Sequence, residues 1–513
     1  GGSATKNKIE LTSGSVTGSV YGGALTDAGA TGSATANEIT VKGGTVAGDV
    51  YGGFTNGSGN TTGNTVNLGD GEHTLAAGTT INGTIYGGNK ADVTGNTLNV
   101  NTNATAGNIQ NFGKLQFNLN SNTLTQSASM LGLSAVGGTN NLDWSTLDVN
   151  AEKFNAPIKT YEAYNLVLME NTHGISFQQG ATNTYTAGGG VKSTTSGDFE
   201  FTIDTANSSV SSTQVTAAGY KFKNHNATYS EATPHAEAWA GRTNIGNTVK
   251  DNTLTVTGGS LTTAAYGGLV INNKLGAITG DAENNKIIVN GTANVADAYG
   301  AQVRTKSGNA TENSAEITGG TVNNSVYGAS LAAANATGTA DKSKVDISGS
   351  VNITGDVYGG HIAQANATGT ITNSEVSISG GTVNGAVYGG YNAGSGNATG
   401  GTLSISGGNV GGTIYGNHAN AGNATGATIN ITGGTMGDVY GGFANGTGKT
   451  TGNTVNLGTE TDAVAAGTTV GTIWGGNKNV TGNTLNVNSR NAGAADVKNF
   501  ENVNFDVAHN VSH

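Results

Sequence analysis

Apolar residues in this chain fall in short alternating runs that recur along most of its length. In NTVNL at 64–68, SEVSISG at 374–380 and ATINITG at 427–433, Val, Ile or Leu stands at alternate positions. A period of two predicts a strand with one buried face. A Gly-Gly-Thr turn then leads to a second strand, as in TVNGAVY at 382–388. There Val383, Gly385 and Val387 share one face, while Thr382, Asn384, Ala386 and Tyr388 share the other. A polar stretch follows, such as NAGSGNATG at 392–400, and reads as a loop turned outward. No segment of the arrays combines a helical period with caps.

These three parts form a repeat anchored on Tyr-Gly-Gly or a close variant. The anchor aromatics are Tyr21, Tyr51 and Tyr86, then Tyr266, Tyr299, Tyr327, Tyr358, Tyr388, Tyr415, Tyr440 and Trp474. Within each series they lie 25 to 35 residues apart. The second glycine is not strict, because Tyr299 and Tyr327 precede Gly-Ala and Tyr415 precedes Gly-Asn. Each strand offers two or three inward side chains, too few for one unit to bury a core. Stacked units bury one another, each adding a layer of about 4.8 Å. The pattern therefore predicts an all-β fold, a parallel β-helix (β-solenoid) in a single elongated rod. At one coil per 25 to 30 residues, about 17 to 20 coils would span roughly 80 to 100 Å.

A larger duplication overlies this period. YGGFTNGSGNTTGNTVNL from Tyr51 recurs as YGGFANGTGKTTGNTVNL from Tyr440, and both copies run on to related endings, NFGKLQF at 111–117 and NFENVNF at 499–505. The expected organisation is one repeat array at 1–120 and another at 241–513. Between them, 121–240 reads as a less regular stretch of the same solenoid, with a small inserted domain as the alternative. That stretch holds both prolines, Pro157 and Pro234, together with Trp144 and Trp239.

Composition sharpens this picture. Glycine makes up 86 of 513 residues, about twice the usual share, and only 11% of residues are charged. Val, Ile and Thr are plentiful and proline is scarce, which favours short strands and tight turns over disorder. The formal net charge is −11 and the only arginines are Arg242, Arg304 and Arg490. Nucleic acid is therefore not an expected partner, since phosphate binding requires a basic surface. The absence of cysteine excludes disulfides, thiolate metal sites and a cysteine nucleophile. No apolar run is long enough for a membrane-spanning helix. The chain opens inside a repeat, as expected of a piece of something longer.

With its Gly/Asn/Thr-rich repeats (GGTVxGxVYGG with GNTxNx), its NF-x-x-(L/V)-x-F array ending and its lack of cysteine, the chain resembles the passenger domain of Gram-negative type V autotransporters, of the adhesin or self-associating kind. The resemblance implies a right-handed parallel β-helix displayed at the cell surface, outside the cell, after export through the outer membrane. In that family a C-terminal outer-membrane barrel follows, and that barrel is not in this sequence. The implied partners are a host or bacterial cell-surface protein or glycan, or a second copy of the chain.

No catalytic signature competes with this reading. The protease motif GDSGS is absent, and the histidines (His73, His173, His225, His235, His361, His418, His509 and His513) show no metal-binding spacing. Neither catalytic activity, cofactor nor metal is expected. The acidic residues fall mostly singly, at Asp49, Asp148, Asp356 and Asp438. Asp49, Asp356 and Asp438 share one repeat offset, two residues before the tyrosine, and read as solvated surface. The anchor aromatics are expected to form a structural ladder. Asn-Ala-Thr recurs at Asn309, Asn335, Asn366, Asn397 and Asn423, and also at Asn103 and Asn226. It reads either as a turn-and-ladder element or as a glycan acceptor. The alternatives to an adhesin are a β-helical polysaccharide-degrading enzyme, its carboxylates in 121–240, and a structural filament or surface-layer component.

Overall fold

The computed structural model describes residues 1–125, 128–136, 139–140, 142, 146–171, 176–177, 191–204, 213–271, 279–490 and 492–506. Trp144, His173, His509 and His513 lie outside the described residues. The described elements are β-strands, and no α-helix occurs among them.

One coil shows how the sequence builds the fold. Glu375–Ile378 forms a first wall, Thr382–Val383 and Val387–Asn392 a second, and Ala398–Thr399 a short third. Each pairs in parallel with its equivalents one coil away: Val376 meets Val345 and Leu403, and Val387 meets Val357 and Ile414. Val376, Ile378, Val383 and Val387 all point inward and are essentially unexposed. Burying such a side chain is worth about 1.5–3 kcal/mol, and only neighbouring coils provide the cover. The resulting core runs without a break from Tyr229 to Leu485.

The stretch read as an outward loop is one only in part: Ser395 and Asn397 are exposed between strands, but Ala398–Thr399 belongs to the wall. Ala398, Ala367 and Ala424 are fully buried, and Ala398 and Ala367 join a second core with Ala340, Ile362 and Ile371. Cross-coil bonds such as Ser395 N to the Ala367 carbonyl (2.9 Å) keep the segment in register. Alanine is small enough to occupy the narrow corner, and the polar composition around it concealed this buried position.

One corner imposes a left-handed backbone on successive coils of the second unit. Gly400, Gly426, Gly452 and Gly482 occupy it in the later coils, but Asn284, Glu312, Lys342 and Asn373 stand there earlier, with φ of 50–56°. Each non-glycine residue pays roughly 1–2 kcal/mol for that conformation, asparagine less than the others.

Contacts divide the chain into two compact units. One comprises Gly1–Lys159 with Ala163–Tyr220, the other Thr160–Glu162 with Lys221–His513. In the first unit, six parallel strands run in order from Lys8–Leu11 to Leu147–Lys153. The parallel rule then fails: Tyr164–Asn171 pairs in parallel with Leu131–Leu133 but antiparallel with Thr213–Lys221, and Val191–Ser196 forms an antiparallel pair with Phe199–Asp204. Bulkier residues, Phe117, Phe154 and Phe201, fill this part of the core. The chain makes about 14 turns, fewer than the 17 to 20 expected from length. Residues spent on antiparallel strands add no coils.

Candidate functional surface

The anchor aromatic follows an inward Val or Ile, or Ala before Tyr266 and Tyr299, so alternation turns it to the other face of the strand. Parallel register places each ring on the ring one coil away. In the first unit Tyr21, Tyr51 and Tyr86 stack at 5.2 and 4.6 Å between ring centres, within 5° of parallel. In the second unit the stack runs from Tyr266 through Tyr299, Tyr327, Tyr358, Tyr388, Tyr415 and Tyr440 to Trp474 at 4.4 to 5.5 Å. The ring faces are thus occupied by neighbouring rings, and the edges of most reach solvent, while Tyr266 and Tyr299 are buried. Exposure varies along the ladder: Tyr21 is 39% exposed and Tyr266 1%, with most rings half-buried.

The strict first glycine has a steric cause. A Cβ at Gly389 would lie 2.2 Å from the carbonyl oxygen of Gly416 in the next coil, and at Gly52 2.5 Å from that of Gly87. The second glycine faces a buried asparagine column instead. Gly53 lies against Asn64, Gly268 against Asn285 and Gly442 against Asn453. Where Asn417 replaces that glycine, Gly401 and Ala427 stand in the asparagine column, and the Asn417 amide takes over the bond to a backbone carbonyl, that of Thr425 (3.0 Å). Exchange of Gly and Asn across the coil preserves the filled volume.

A second column flanks the tyrosines three residues on. Phe54 meets Tyr51 edge-on, Tyr391 meets Tyr388 at 69°, and Phe443 meets Tyr440 at 90°. His361 and His418 occupy the same column in other coils. Burial lowers the pKa of both to about 4, so each imidazole is neutral at neutral pH. Burial likewise raises the Tyr266 hydroxyl to about 12, and pushes Tyr51, Tyr299, Tyr358 and Tyr388 well above the ordinary phenol value.

The aspartates two residues before the tyrosine bind the next coil. Asp49 accepts from Thr84 N (2.7 Å), Asp356 from Ala386 N (2.7 Å) and Asp438 from Thr472 N (2.8 Å). Their second oxygens accept from the Tyr51 and Tyr358 hydroxyls in two of these coils. Asp297, at the same offset and overlooked in the sequence, accepts from Ser325 N. Serine, threonine or alanine separates the aspartates, as where Ser325 lies between Asp297 and Asp356. No two carboxylates therefore stack.

The ladder has members beyond those read from the sequence. Trp239 pairs with Tyr266 in register, with the Arg242 guanidinium 4.5 Å from its ring centre. Lys498 occupies the position after Trp474, its ammonium 4.7 Å from that ring. The Trp-Ala-Gly of 239–241 departs from Tyr-Gly-Gly at two of three positions, which hid it from a motif reading.

Other candidates are engaged in cross-coil bonding. A groove lined by Asp281, Glu283, Asp341 and Asn373 is acidic. Within it Asp281 accepts from Asn309, Asp341 from Thr372 and Asn373, and Glu283 pairs with Lys250. Among the described residues no three His, Asp or Glu side chains are grouped to hold a metal ion. Asp148 accepts from Val149 N and Thr194 Oγ1. In the Asn-Ala-Thr segments, Asn397 accepts from Asn423 N and Asn423 from Lys449 N, while the alanines between are buried. The remaining described histidines bond to Asp70 (His73), the Ala240 carbonyl (His225) and Tyr229 (His235).

Fold and surface together define a β-solenoid repeat protein. Comparison with protein families, curated proteins and solved structures returned no match.

Proposed function

We propose that this chain is a surface-exposed, non-enzymatic adhesin of the autotransporter-passenger kind, promoting attachment or cell–cell aggregation through many weak contacts. The observation that supports it is the recurrence of uncharged polar segments on successive coils, at 363–369, 393–400 and 420–426, each held in register by cross-coil bonds. A contact made by one coil can be repeated by the next, so individually weak contacts sum to avidity. The partner is a cell-surface protein or glycan, or a second copy of the chain.

Excision of residues 375–401 tests this reading. Glu375 and Thr402 occupy the same register position, so the cut removes one whole coil and rejoins the walls. Beads or cells displaying the full chain are expected to aggregate or attach to cell surfaces. The shortened chain, still folded, should do so less strongly. Full-length protein that neither aggregates nor attaches overturns the proposal.

A further inference from the structure

We propose that the tyrosine ladder is a site of oxidative cross-linking, in which register-paired tyrosines of adjacent coils join ortho carbon to ortho carbon as dityrosine. Coupling of two phenols requires rings that face each other at contact distance, a path for the phenolic proton, and access for a one-electron oxidant. The ladder meets all three requirements. Tyr51 and Tyr86 stack at 4.6 Å and 3°, and Tyr358 and Tyr388 at 5.0 Å and 4°. In each pair one hydroxyl already donates to a carboxylate, Tyr51 to Asp49 (3.1 Å) and Tyr358 to Asp356 (2.9 Å). All four rings are half-buried, so part of each is reachable from solvent.

The raised phenol pKa values close the route through a free phenolate. Electron loss must then be accompanied by proton transfer, and the aspartate accepts that proton. Two phenoxyl radicals formed in this way on neighbouring rungs combine. One C–C bond forms, two ring C–H bonds break, and the rings regain their aromaticity and hydroxyls. The pair loses two hydrogens as two protons and two electrons. With persulfate as oxidant, the electrons cleave its O–O bond and yield two sulfates. Each link joins residues about 30 positions apart, 51 with 86 or 358 with 388, and closes a covalent loop across one coil step.

The test is brief illumination of the full chain with a ruthenium tris-bipyridyl photosensitiser and persulfate, followed by peptide mapping. The expected result is Tyr51–Tyr86 and Tyr358–Tyr388 linked peptides, each two hydrogens lighter than its components, in yields unchanged by dilution. Tyr51→Phe should abolish the first link and leave the second. Asp49→Asn, which can still accept from Thr84 N, should slow the first link several-fold and leave the second unchanged. Tyr391 is the internal control: it lies 5.0 Å from Tyr388 but at 69°. Links between Tyr388 and Tyr391 as abundant as those between rungs, links that vanish on dilution, or hydroxylated tyrosine in place of links would each overturn the proposal. An unchanged rate in Asp49→Asn would overturn the role given to the aspartate.

Discussion

Asn285 sits at the centre of the polar column between the two cores, with no exposed surface. Its Oδ1 accepts from the backbone and side-chain amides of Asn252, at 3.3 and 2.8 Å. Its Nδ2 donates to the Val249 carbonyl and to Asn313 Oδ1, both at 2.9 Å. Replacement by alanine strands donors on Asn252 and takes a bond from the Val249 carbonyl where water has no access, while Asn313 Oδ1 keeps the Asn285 backbone amide. Each such orphan costs about 1–3 kcal/mol, and the vacated volume adds to it, so Asn285→Ala is expected to cost about 3–5 kcal/mol. Asn456 is the matched control. It makes two bonds in an outer ladder, to Asn430 and Asn486, on a half-buried face where water replaces what is lost. Its alanine variant should cost under about 1 kcal/mol.

Coils interact with their immediate neighbours, so the damage should be local, and a single unfolding free energy is not the right quantity for a chain of two units. Hydrogen exchange read by mass spectrometry resolves it. Amides of 249–256 and 282–289 should exchange roughly a hundredfold to a few thousandfold faster in Asn285→Ala, at a factor of ten per 1.4 kcal/mol. Those of 428–457 should be unaffected. Equal effects of Asn285→Ala and Asn456→Ala would refute the claim that burial makes the inner column the stronger one.

Glycine positions separate crowding from backbone strain. Gly389→Ala drives a methyl into the Gly416 carbonyl and should unfold the coils around it, whereas at Gly452 a Cβ meets nothing within 4 Å. Gly452→Ala should therefore cost about 1 kcal/mol from its left-handed φ alone, and Ala36→Gly, at φ 56°, should gain up to about 1 kcal/mol in thermal melts of the variants. Acid should weaken the second unit through His418. Its folded pKa of about 4 lies below the unfolded value near 6.5, so the unfolded chain binds the proton first and stability falls as pH drops from 6.5 to 4, by roughly 3 kcal/mol at the lower limit. His418→Phe, matching Phe443 in the next coil, should remove its own share of that pH dependence and leave the share of His361, as measured by urea midpoints at pH 7 and pH 4.5.

Much of the architecture was legible because it follows a period of two. The inward placement of Val376, Ile378, Val383 and Val387 and the stacking of the anchor aromatics come directly from alternation and spacing. Three features were not legible, each for a physical reason. Ala398 is polar-flanked and small, so a buried corner looked like a loop. Asn64, Asn285 and Asn453 are polar by type, and only cross-coil register reveals that four bonds can satisfy such a residue in the interior. The antiparallel strands near 164–221 alternate like the parallel ones, and side-chain period carries no information on strand direction. On the surface, the tyrosine column was visible, but its exposed ring edges, the aspartate contacts and the recruitment of Trp239 depend on geometry between coils.

In-register stacking of parallel coils is the claim on which all of this rests, and paired cysteines test it directly in a chain that has none. Thr428 and Thr454 are register partners on half-buried positions of the first wall. Parallel neighbours lie about 4.8 Å apart, within the Cα range of a disulfide, while a shift of two residues takes them out of it. The double variant Thr428→Cys, Thr454→Cys should form an intramolecular disulfide readily under mild oxidation, and Thr428→Cys with Asn456→Cys should not. Failure of the first pair, or equal cross-linking by both, would contradict the stacked-coil account.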